Sequence, residues 1–272
     1  MREKIISIIN QKGGVGKTTT VINLAAGLSL QGKRVLVIDL DPQGNATTGL
    51  GLSNLESSEK SIYSVLNGTK KISDVIEKSN FKNLDLITSN VDLSGLEVET
   101  AGDNRRAFIL KEQIMAYLND SRGIYSHILI DCPPSLSLLT IMALVASESL
   151  IVPLQAEFFA LEGVTQLMKT IDRIKSNLNS ELSIRGILLT MYDKRNKLSG
   201  EVEKEAREYF KEKVYKTIVP RNVRLSEAPS HGMPVLFYDR SCPGSKSYVS
   251  FTEEFINQEK IMESAAWVIH IN

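Results

Sequence analysis

Apolar and polar positions along the chain follow two patterns: short continuous apolar runs, and longer stretches in which apolar residues recur at helical spacing. The short runs are rich in Ile, Val and Leu, and such two-sided apolar runs are typical of strands in a parallel sheet covered by helices. Six runs are clear and two are weaker: KIISIIN, RVLVIDL, NLDLITS, SHILIDC, SLIVPL and SIRGILLTMY, then VYKTIVP and PVLFYD.

The stretches between these runs predict helices. KTTTVINLAAGLSLQGK ends at Gly32, a helix stop, SGEVEKEAREYFKEKV has a charged solvent-facing side, and LLTIMALVA predicts a core helix. Strands that alternate with helices predict a doubly wound α/β fold with a mostly parallel sheet flanked by helices. Residues 50–80 and 89–105 predict loops and short helices. We expect one α/β domain over residues 1–272.

Composition narrows the class of protein. The chain has 272 residues, 42% of them hydrophobic, which is enough for a core without disulfides or structural metal. Lys and Arg number 32 and so do Asp and Glu, so any polyanion must bind a local patch. Cys132 and Cys242 have no metal-ligand spacing, and no apolar run approaches the roughly 18 residues of a membrane span. We expect a cytoplasmic protein without a membrane partner.

The stretch NQKGGVGKTTT, residues 10–20, is close to a phosphate-binding loop. The usual pattern G-x-x-x-x-G-K-[ST] would have glycine at Gln11, and a lysine, Lys12, follows that position. The flanking strand and helix are the context that this motif requires, and its glycines let backbone N–H groups turn toward phosphate oxygens. Lys17 would reach the β- and γ-phosphates and Thr18 would bind Mg²⁺. The alternative is a glycine-rich turn without a ligand.

Carboxylates follow two of the predicted strands. Asp131 ends HILID, where a Walker-B aspartate holds the magnesium shell through water, although it could also be a turn residue before Pro133. Asp39 and Asp41 occupy alternate positions after a strand and therefore lie on the same side of an extended chain. Two carboxylates beside a triphosphate suggest one structural role and one that orients the attacking water, and we favour Asp41 for the water.

Four stretches in order resemble the deviant Walker-A ATPases, and closely the ParA/Soj partitioning ATPases: KGGVGKTT, DLDPQGNAT, DCPPSL and PRNVRLSEAPSHGMPV. The resemblance extends from the first strand to about residue 240. The loop alone would indicate the wider superfamily, which includes MinD-like and nitrogenase iron-protein-like members, and PRNVRLSEAPS narrows it to the partitioning branch. The resemblance implies a P-loop fold and magnesium-dependent hydrolysis of ATP to ADP and phosphate.

The resemblance also implies roles for individual residues. Lys12 would reach across a nucleotide sandwich dimer to the partner's phosphates, while Lys17 would serve its own nucleotide and Gly14 would lie at the dimer seam. Asp41 matches the residue needed for hydrolysis, and Asp131 the magnesium-associated aspartate. The expected catalytic residues are Lys12, Lys17 and Asp41, the metal site is Thr18, Asp39 and Asp131, and the nucleotide contacts are Lys12, Gly13, Gly14, Val15, Gly16, Lys17, Thr18, Thr19, Pro220 and Asn222.

The family's behaviour implies DNA and protein partners. Its ATP-dependent homodimer binds double-stranded DNA without sequence preference, and a ParB-like centromere-binding partner stimulates hydrolysis, which places the protein at the nucleoid. Arg195 and Arg224 align best with the family's DNA-contacting arginines, and Lys194, Lys197 and Arg221 are added because they are near in sequence. Each of these side chains could instead be an ordinary solvated cation.

Three alternatives remain open from the sequence. A MinD-like membrane-surface switch would end in a basic amphipathic helix, whereas this C-terminus is acidic and carries one lysine, Lys260, beyond residue 258. A metabolic enzyme of the same fold would phosphorylate or amidate a small molecule. Cys132 could suggest an iron–sulfur cluster, but we favour a small buried residue. We leave open whether residues 259–272 form an irregular tail, with Trp267 packed against the body or disordered.

Overall fold

The computed structural model describes residues 3–52, 60–121, 124–157 and 160–269. One sheet has the strand order β3-β4-β2-β5-β1-β6-β7-β8, and within these described ranges only its β3–β4 pair is antiparallel. The strands are β1 Lys4–Ile8, β2 Val35–Asp39, β3 Ile76–Lys78, β4 Leu84–Ile87, β5 His127–Asp131, β6 Ser149–Gln155, β7 Ser183–Tyr192 and β8 Val214–Pro220. The expected mostly parallel α/β sheet is confirmed.

Helices cover both faces of this sheet. The α-helices are α1 Lys17–Leu30, α2 Asn45–Gly49, α3 Ile62–Leu66, α4 Ile72–Val75, α5 Leu96–Glu99, α6 Ile109–Asp120, α7 Leu138–Ala146, α8 Ala160–Asn177, α9 Lys197–Phe210, α10 Val223–Glu227, α11 Val235–Tyr238 and α12 Pro243–Ile269. Short 3₁₀ turns lie at Val91–Gly95, Arg106–Phe108, Lys211–Lys213 and Ala228–His231. Among the described residues, no helix is both long and apolar enough to cross a membrane.

The alternation of side chains along each strand builds the two core layers. In β2, Val35 and Val37 pack on the side of α1 and α12, whereas Leu36 and Ile38 pack on the side of α6 and α7. Successive residues of a strand point to opposite faces, so an all-apolar strand requires helices on both. A third apolar cluster lies under α8 and α9, on the β6 and β7 end of the sheet.

Two local expectations differ from the structure. PVLFYD is helix α11, because Val235 donates its N–H to the Asn23 side chain at 2.8 Å instead of to a neighbouring strand. Short apolar runs do not separate strand from helix by periodicity alone. Strand β3 is not evident from the sequence, because a three-residue antiparallel edge strand leaves almost no periodic signal.

The C-terminal segment is more regular than the irregular tail considered above. Helix α12 continues through residue 269, so residues 259–269 are helical. The side chain of Trp267 and residues 270–272 lie outside the described part of the chain. Helix α12 packs on α1 so closely that a Cβ on Gly27 would lie 2.1 Å from the Thr252 hydroxyl oxygen.

Candidate active site

The glycine-rich loop between β1 and α1 turns through two left-handed residues. Gly14 and Gly16 have φ of 73° and 88°, conformations that cost other residues free energy. The loop is anchored from a different strand, because the Thr190 hydroxyl of β7 donates to the Val15 carbonyl at 2.8 Å. The Lys12 N–H donates to the Asn10 side chain at 3.0 Å. These contacts fix the turn of the loop, the kind of glycine-rich turn whose backbone N–H groups bind phosphate.

Lys17 begins α1 and lies inside this loop. Its residue is only 6% exposed, and its ammonium donates to the Lys12 carbonyl at 3.0 Å. Burial lowers the pKa of Lys17, and the Asp131 carboxylate is the largest influence that opposes this shift. A buried ammonium in a loop of N–H groups favours an anionic ligand, because a phosphate would offset the desolvation of the charge.

Three carboxylates lie at the adjoining strand ends, in different environments. Asp131 lies opposite Ile8 of β1 and Asp39 of β2 in the sheet register, so the carboxyl ends of these three strands are neighbours. Asp39 Oδ2 accepts hydrogen bonds from the Thr47 N–H and hydroxyl, both at 2.7 Å, and its Oδ1 accepts one from the Asp41 N–H at 3.2 Å. Burial raises the pKa of Asp39 to about 6 despite these bonds.

Asp131 is the carboxylate with unsatisfied polar atoms. It is fully buried, and neither carboxylate oxygen accepts a hydrogen bond of normal geometry from the described residues. Burial raises its pKa well above the usual value, the nearby Asp39 charge adds to the rise, and the Thr18 hydroxyl opposes it. A nearby cation would offset this cost, so Asp131 fits a magnesium shell.

The described residues do not form a complete metal site without a ligand. No group of three or more His, Cys, Asp or Glu side chains among them is placed to hold a metal ion. A site with only one or two protein ligands fits Mg²⁺, because this ion keeps several waters and takes further ligands from substrate phosphates. Thr18 and Asp131 would supply the protein's share. The third residue expected at the metal site, Asp39, already accepts hydrogen bonds from Thr47 and Asp41 on its two oxygens.

A cavity of about 740 Å³ connects the loop to the segment after β8. Its wall includes Asp41, the residue expected to orient the attacking water, and most of the residues expected to contact nucleotide: Gly13, Gly14, Gly16, Lys17, Thr18, Thr19, Pro220 and Asn222. Asn222 accepts a hydrogen bond from the Arg224 N–H through its side-chain oxygen at 3.1 Å, which leaves its amide N–H groups available. The volume lies within the usual range for pockets that bind small molecules.

Four of the residues expected at the nucleotide, catalytic and metal sites do not line this cavity. Val15 is buried beneath the loop, and Asp39 and Asp131 are fully buried behind it. The Lys12 ammonium forms an ion pair with Glu157, which follows β6, so this half-exposed lysine lies outside its own cavity.

Several residues of the cavity wall were not found from the sequence: Gln43, Asn45, Thr48, Thr190, Met191, Val223, Ser226, Pro229, Ser230 and Tyr248. The DPQGNAT stretch gave a signal for Gln43 and Asn45, since it follows the strand that carries Asp39. Thr190 gave no local signal, because its role depends on the pairing of β7 with β6, which brings it beside the loop.

The predicted DNA-binding residues lie in or beside two turns that adjoin each other. Lys194 and Arg195 lie in the turn after β7 and Lys197 begins α9, while Arg221 follows β8 and Arg224 lies in the first turn of α10. Tyr192 pairs with Pro220 across these strands, and the Arg221 N–H donates to the Tyr192 carbonyl at 3.0 Å. Arg221 also lines the cavity, so the basic turns border the candidate nucleotide site. We call these five side chains the basic surface.

Two arginines of the basic surface are paired with carboxylates. Arg195 donates from Nε to Asp193 Oδ1 at 3.0 Å and from Nη2 to Oδ2 at 2.9 Å. Arg224 donates from Nη1 to Glu227 Oε2 at 2.7 Å, and its Nε lies 3.6 Å from Asp239 Oδ2.

A phosphate loop opening onto a cavity at the carboxyl ends of parallel strands, with a buried lysine and strand-end aspartates, defines a P-loop nucleotide-binding protein. Residues 3–184 match the family model described as an AAA domain. The chromosome partitioning protein ParA of Caulobacter vibrioides (strain NA1000 / CB15N) is 48% identical over 263 residues, covering 97% of each chain. The sporulation initiation inhibitor protein Soj of Bacillus subtilis is 48% identical over 251 residues, covering 92% of this chain and 97% of that protein. The chain belongs to the ParA/Soj family of chromosome-partitioning ATPases.

Solved structures of related ATPases have the same fold. Cobyrinic acid a,c-diamide synthase from Mycobacterium smegmatis with bound ADP and magnesium is 32% identical, with a TM-score of 0.80 over 95% of this chain and 96% of that one. The septum site-determining protein MinD from Pyrococcus horikoshii, complexed with Mg-ADP, is 26% identical, with a TM-score of 0.76 over 93% of this chain and 95% of that one.

Proposed function

We propose that this protein binds ATP with Mg²⁺ in the loop cavity and hydrolyses it slowly. The observation that carries the proposal is that one cavity is lined by both segments. The loop, Lys17 and Asp41 line one part of it, and the Pro220–Asn222 segment lines another. The triphosphate would lie in the loop and the adenine near Pro220 and Asn222. Thr18 and Asp131 would hold magnesium, which, when bound with ATP, would offset the negative charge that develops on the phosphates during hydrolysis.

In this proposal Asp41 orients the attacking water. Its Oδ1 accepts the Gln43 N–H at 3.0 Å, which leaves Oδ2 available to accept a hydrogen bond from water. Asp39 is saturated by Thr47 and Asp41, so its role is to hold the turn that carries Asp41. Asp131 would help to hold magnesium, because no described residue donates a hydrogen bond of normal geometry to either of its oxygens.

Lys12 is proposed to act on a second copy of the chain. Its side chain pairs with Glu157 and does not line its own cavity, whereas Lys17 does, which supports a different role for Lys12. Gly14 has open space where a Cβ would point, which supports a close approach by a partner backbone at that position. Two protomers facing each other across ATP would exchange Lys12 contacts, so ATP would drive dimerisation.

The ATP dimer is proposed to bind double-stranded DNA without sequence preference, through the basic surface of each protomer. Because binding to phosphates scales with the number of cations, pairing two surfaces would strengthen binding and make it more salt-dependent. A ParB-like partner would stimulate hydrolysis and release the DNA, and the cycle would move replicon origins at the nucleoid.

Sedimentation with ATP, with ADP and without nucleotide tests the dimer. We expect the wild type to dimerise with ATP, and Lys12→Gln to bind ATP yet stay monomeric. Lys82→Gln is a matched control, because it also removes one exposed positive charge. Lys82 precedes β4 and so lies at the amino ends of the strands, whereas Lys12 follows β1 at their carboxyl ends. A Lys12→Gln protein that dimerises like the wild type would remove the trans role of Lys12.

A second candidate function, an ATP-dependent switch on a membrane surface, is favoured by one observation. Ile261 and Met262 are exposed on the last turns of α12. The same turns carry Glu263, which pairs with Lys4 at 2.7 Å, and they offer little positive charge to anionic lipid. Co-sedimentation with vesicles of anionic lipid and ATP separates the two functions, since the DNA-binding function predicts no recovery with vesicles.

A further inference from the structure

Both arginines that align with DNA-contacting positions have a carboxylate beside them. Asp193 holds Arg195 through two side-chain hydrogen bonds, and Glu227 holds Arg224 through one at 2.7 Å. Each carboxylate lies within three residues of its arginine in the same turn or helix, so an approaching phosphate that meets the cation also meets the anion.

These ion pairs contribute little to the fold. The Arg195 and Arg224 side chains are 89% and 51% exposed, and exposed ion pairs add little to the stability of a protein. The Glu227 carboxylate accepts from Arg224, whereas Asp239 also accepts the N–H groups of Ser241 and Cys242 and therefore holds the start of α12. Asp193 accepts one backbone N–H, that of Arg195 at 3.0 Å, and the Glu227 carboxylate is bonded to Arg224 only through its side chain, so both have a smaller structural task than Asp239.

Their charge acts directly on the basic surface. Five cations, Lys194, Arg195, Lys197, Arg221 and Arg224, share this surface with three carboxylates, Asp193, Glu227 and Asp239. Arg195 lowers the pKa of Asp193 to about 2, so this carboxylate stays charged at any physiological pH. A phosphate within hydrogen-bonding distance of Arg195 would lie well inside the screening length of about 8 Å from Asp193.

We propose that Asp193 and Glu227 limit the affinity of each protomer for nucleic-acid phosphates, so that a single protomer binds DNA too weakly and only the nucleotide-dependent pair remains bound. The inference rests on the proposed function, because it assumes that the basic surface binds DNA. It assigns a role to two acidic residues: they keep the affinity of one basic surface below the range in which the monomer binds DNA, while the dimer still binds because it presents two surfaces.

The test measures binding to a random-sequence DNA duplex at several salt concentrations, with ATP and without nucleotide. Asp193→Asn and Glu227→Gln keep side-chain shape, and the amide in Asp193→Asn retains an oxygen that can accept the Arg195 N–H. We expect each variant to bind about two- to tenfold more tightly than the wild type at low salt, with a steeper salt dependence. The double variant is expected to bind DNA measurably without nucleotide.

Glu181→Gln is the matched control. It changes the net charge by the same amount, but Glu181 precedes β7 and Asp193 follows it, so a ten-residue strand of about 33 Å separates them. This variant should bind DNA as the wild type does. Equal gains in Glu181→Gln and Asp193→Asn would mean that only total charge matters and would overturn the inference.

The outcomes separate this inference from the proposed function. Suppose that the wild type binds DNA with ATP, and that Arg195→Ala or Arg224→Ala abolishes this binding. If Asp193→Asn and Glu227→Gln then bind DNA no more tightly than the wild type, the carboxylates do not limit affinity. Weaker binding by Asp193→Asn would mean that Asp193 orients Arg195 toward DNA, which also contradicts the inference. If neither the wild type nor any variant binds DNA, the proposed DNA function fails and the inference fails with it.

Discussion

At the residue scale, we propose different roles for the three neighbouring aspartates Asp39, Asp41 and Asp131, because their hydrogen-bond partners differ. Both oxygens of Asp39 accept hydrogen bonds from Thr47 or Asp41, Asp131 is buried and receives no hydrogen bond of normal geometry from the described residues, and Asp41 borders the cavity. The sequence could predict that these carboxylates share one edge of the sheet, because each follows a parallel strand. It could not predict which of them is saturated, because Thr47 lies eight residues beyond Asp39.

Asp41 is expected to be needed for turnover and not for nucleotide binding. Asp41→Ala removes the water-orienting oxygen, and we expect kcat to fall by at least about 100-fold while ATP binding and dimerisation persist. Asp41→Asn keeps an oxygen for the Gln43 N–H but lacks the charge. Both variants should be inactive in a steady-state phosphate-release assay. An active Asp41→Asn protein would mean that Asp41 only shapes the turn.

Asp39 should make the stability of the nucleotide-free protein depend on pH. The unfolded chain releases this proton near pH 3.9, whereas burial raises the folded-state pKa to about 6. Between these values the folded protein binds more protons, so the free energy of unfolding should fall as pH rises from about 4 to 6, by at most about 3 kcal/mol from this group. Urea unfolding across this range should show a flatter profile for Asp39→Asn. An unchanged profile would mean that Asp39 does not keep its proton.

At the scale of elements, long strands and helices could be predicted because their periodicity is strong. The seven strands other than β3 all match apolar runs in the sequence, and Gly32, with φ of 75°, follows α1 as its stop. Helix α11 and strand β3 could not be predicted, because four- and three-residue segments take their conformation from tertiary contacts such as the Asn23–Val235 hydrogen bond.

The crossing of α1 and α12 depends on a glycine. A Cβ on Gly27 would lie 2.9 Å from the Thr252 Cβ, so Gly27→Ala should destabilise the protein by about 1–3 kcal/mol despite the better helix propensity of alanine. Gly163 lies in α8, where an added Cβ would have no neighbour within 4 Å among the described residues, so Gly163→Ala should be neutral or stabilising. Thermal unfolding of both variants checks this, and equal effects would refute a close α1–α12 contact.

At the scale of the whole molecule, the nucleotide cavity and the basic surface share one edge of the sheet. Arg221 belongs to both, and Asn222, beside it, lines the cavity and accepts the N–H of Arg224. Most of the residues that the motifs indicated as nucleotide contacts line the cavity, because phosphate binding requires a local sequence. The ion pairs of Lys12, Arg195 and Arg224 carry no such pattern and required the structure.

The central claim is that a dimer held by ATP and Lys12 is the DNA-binding species. The most direct measurement is binding to a random-sequence duplex at several salt concentrations, with ATP, with ADP and without nucleotide, for the wild type and Lys12→Gln. We predict binding only for the wild type with ATP, and a steep fall with salt. Binding that is indifferent to nucleotide or unchanged in Lys12→Gln, or no DNA binding at all, would contradict the account.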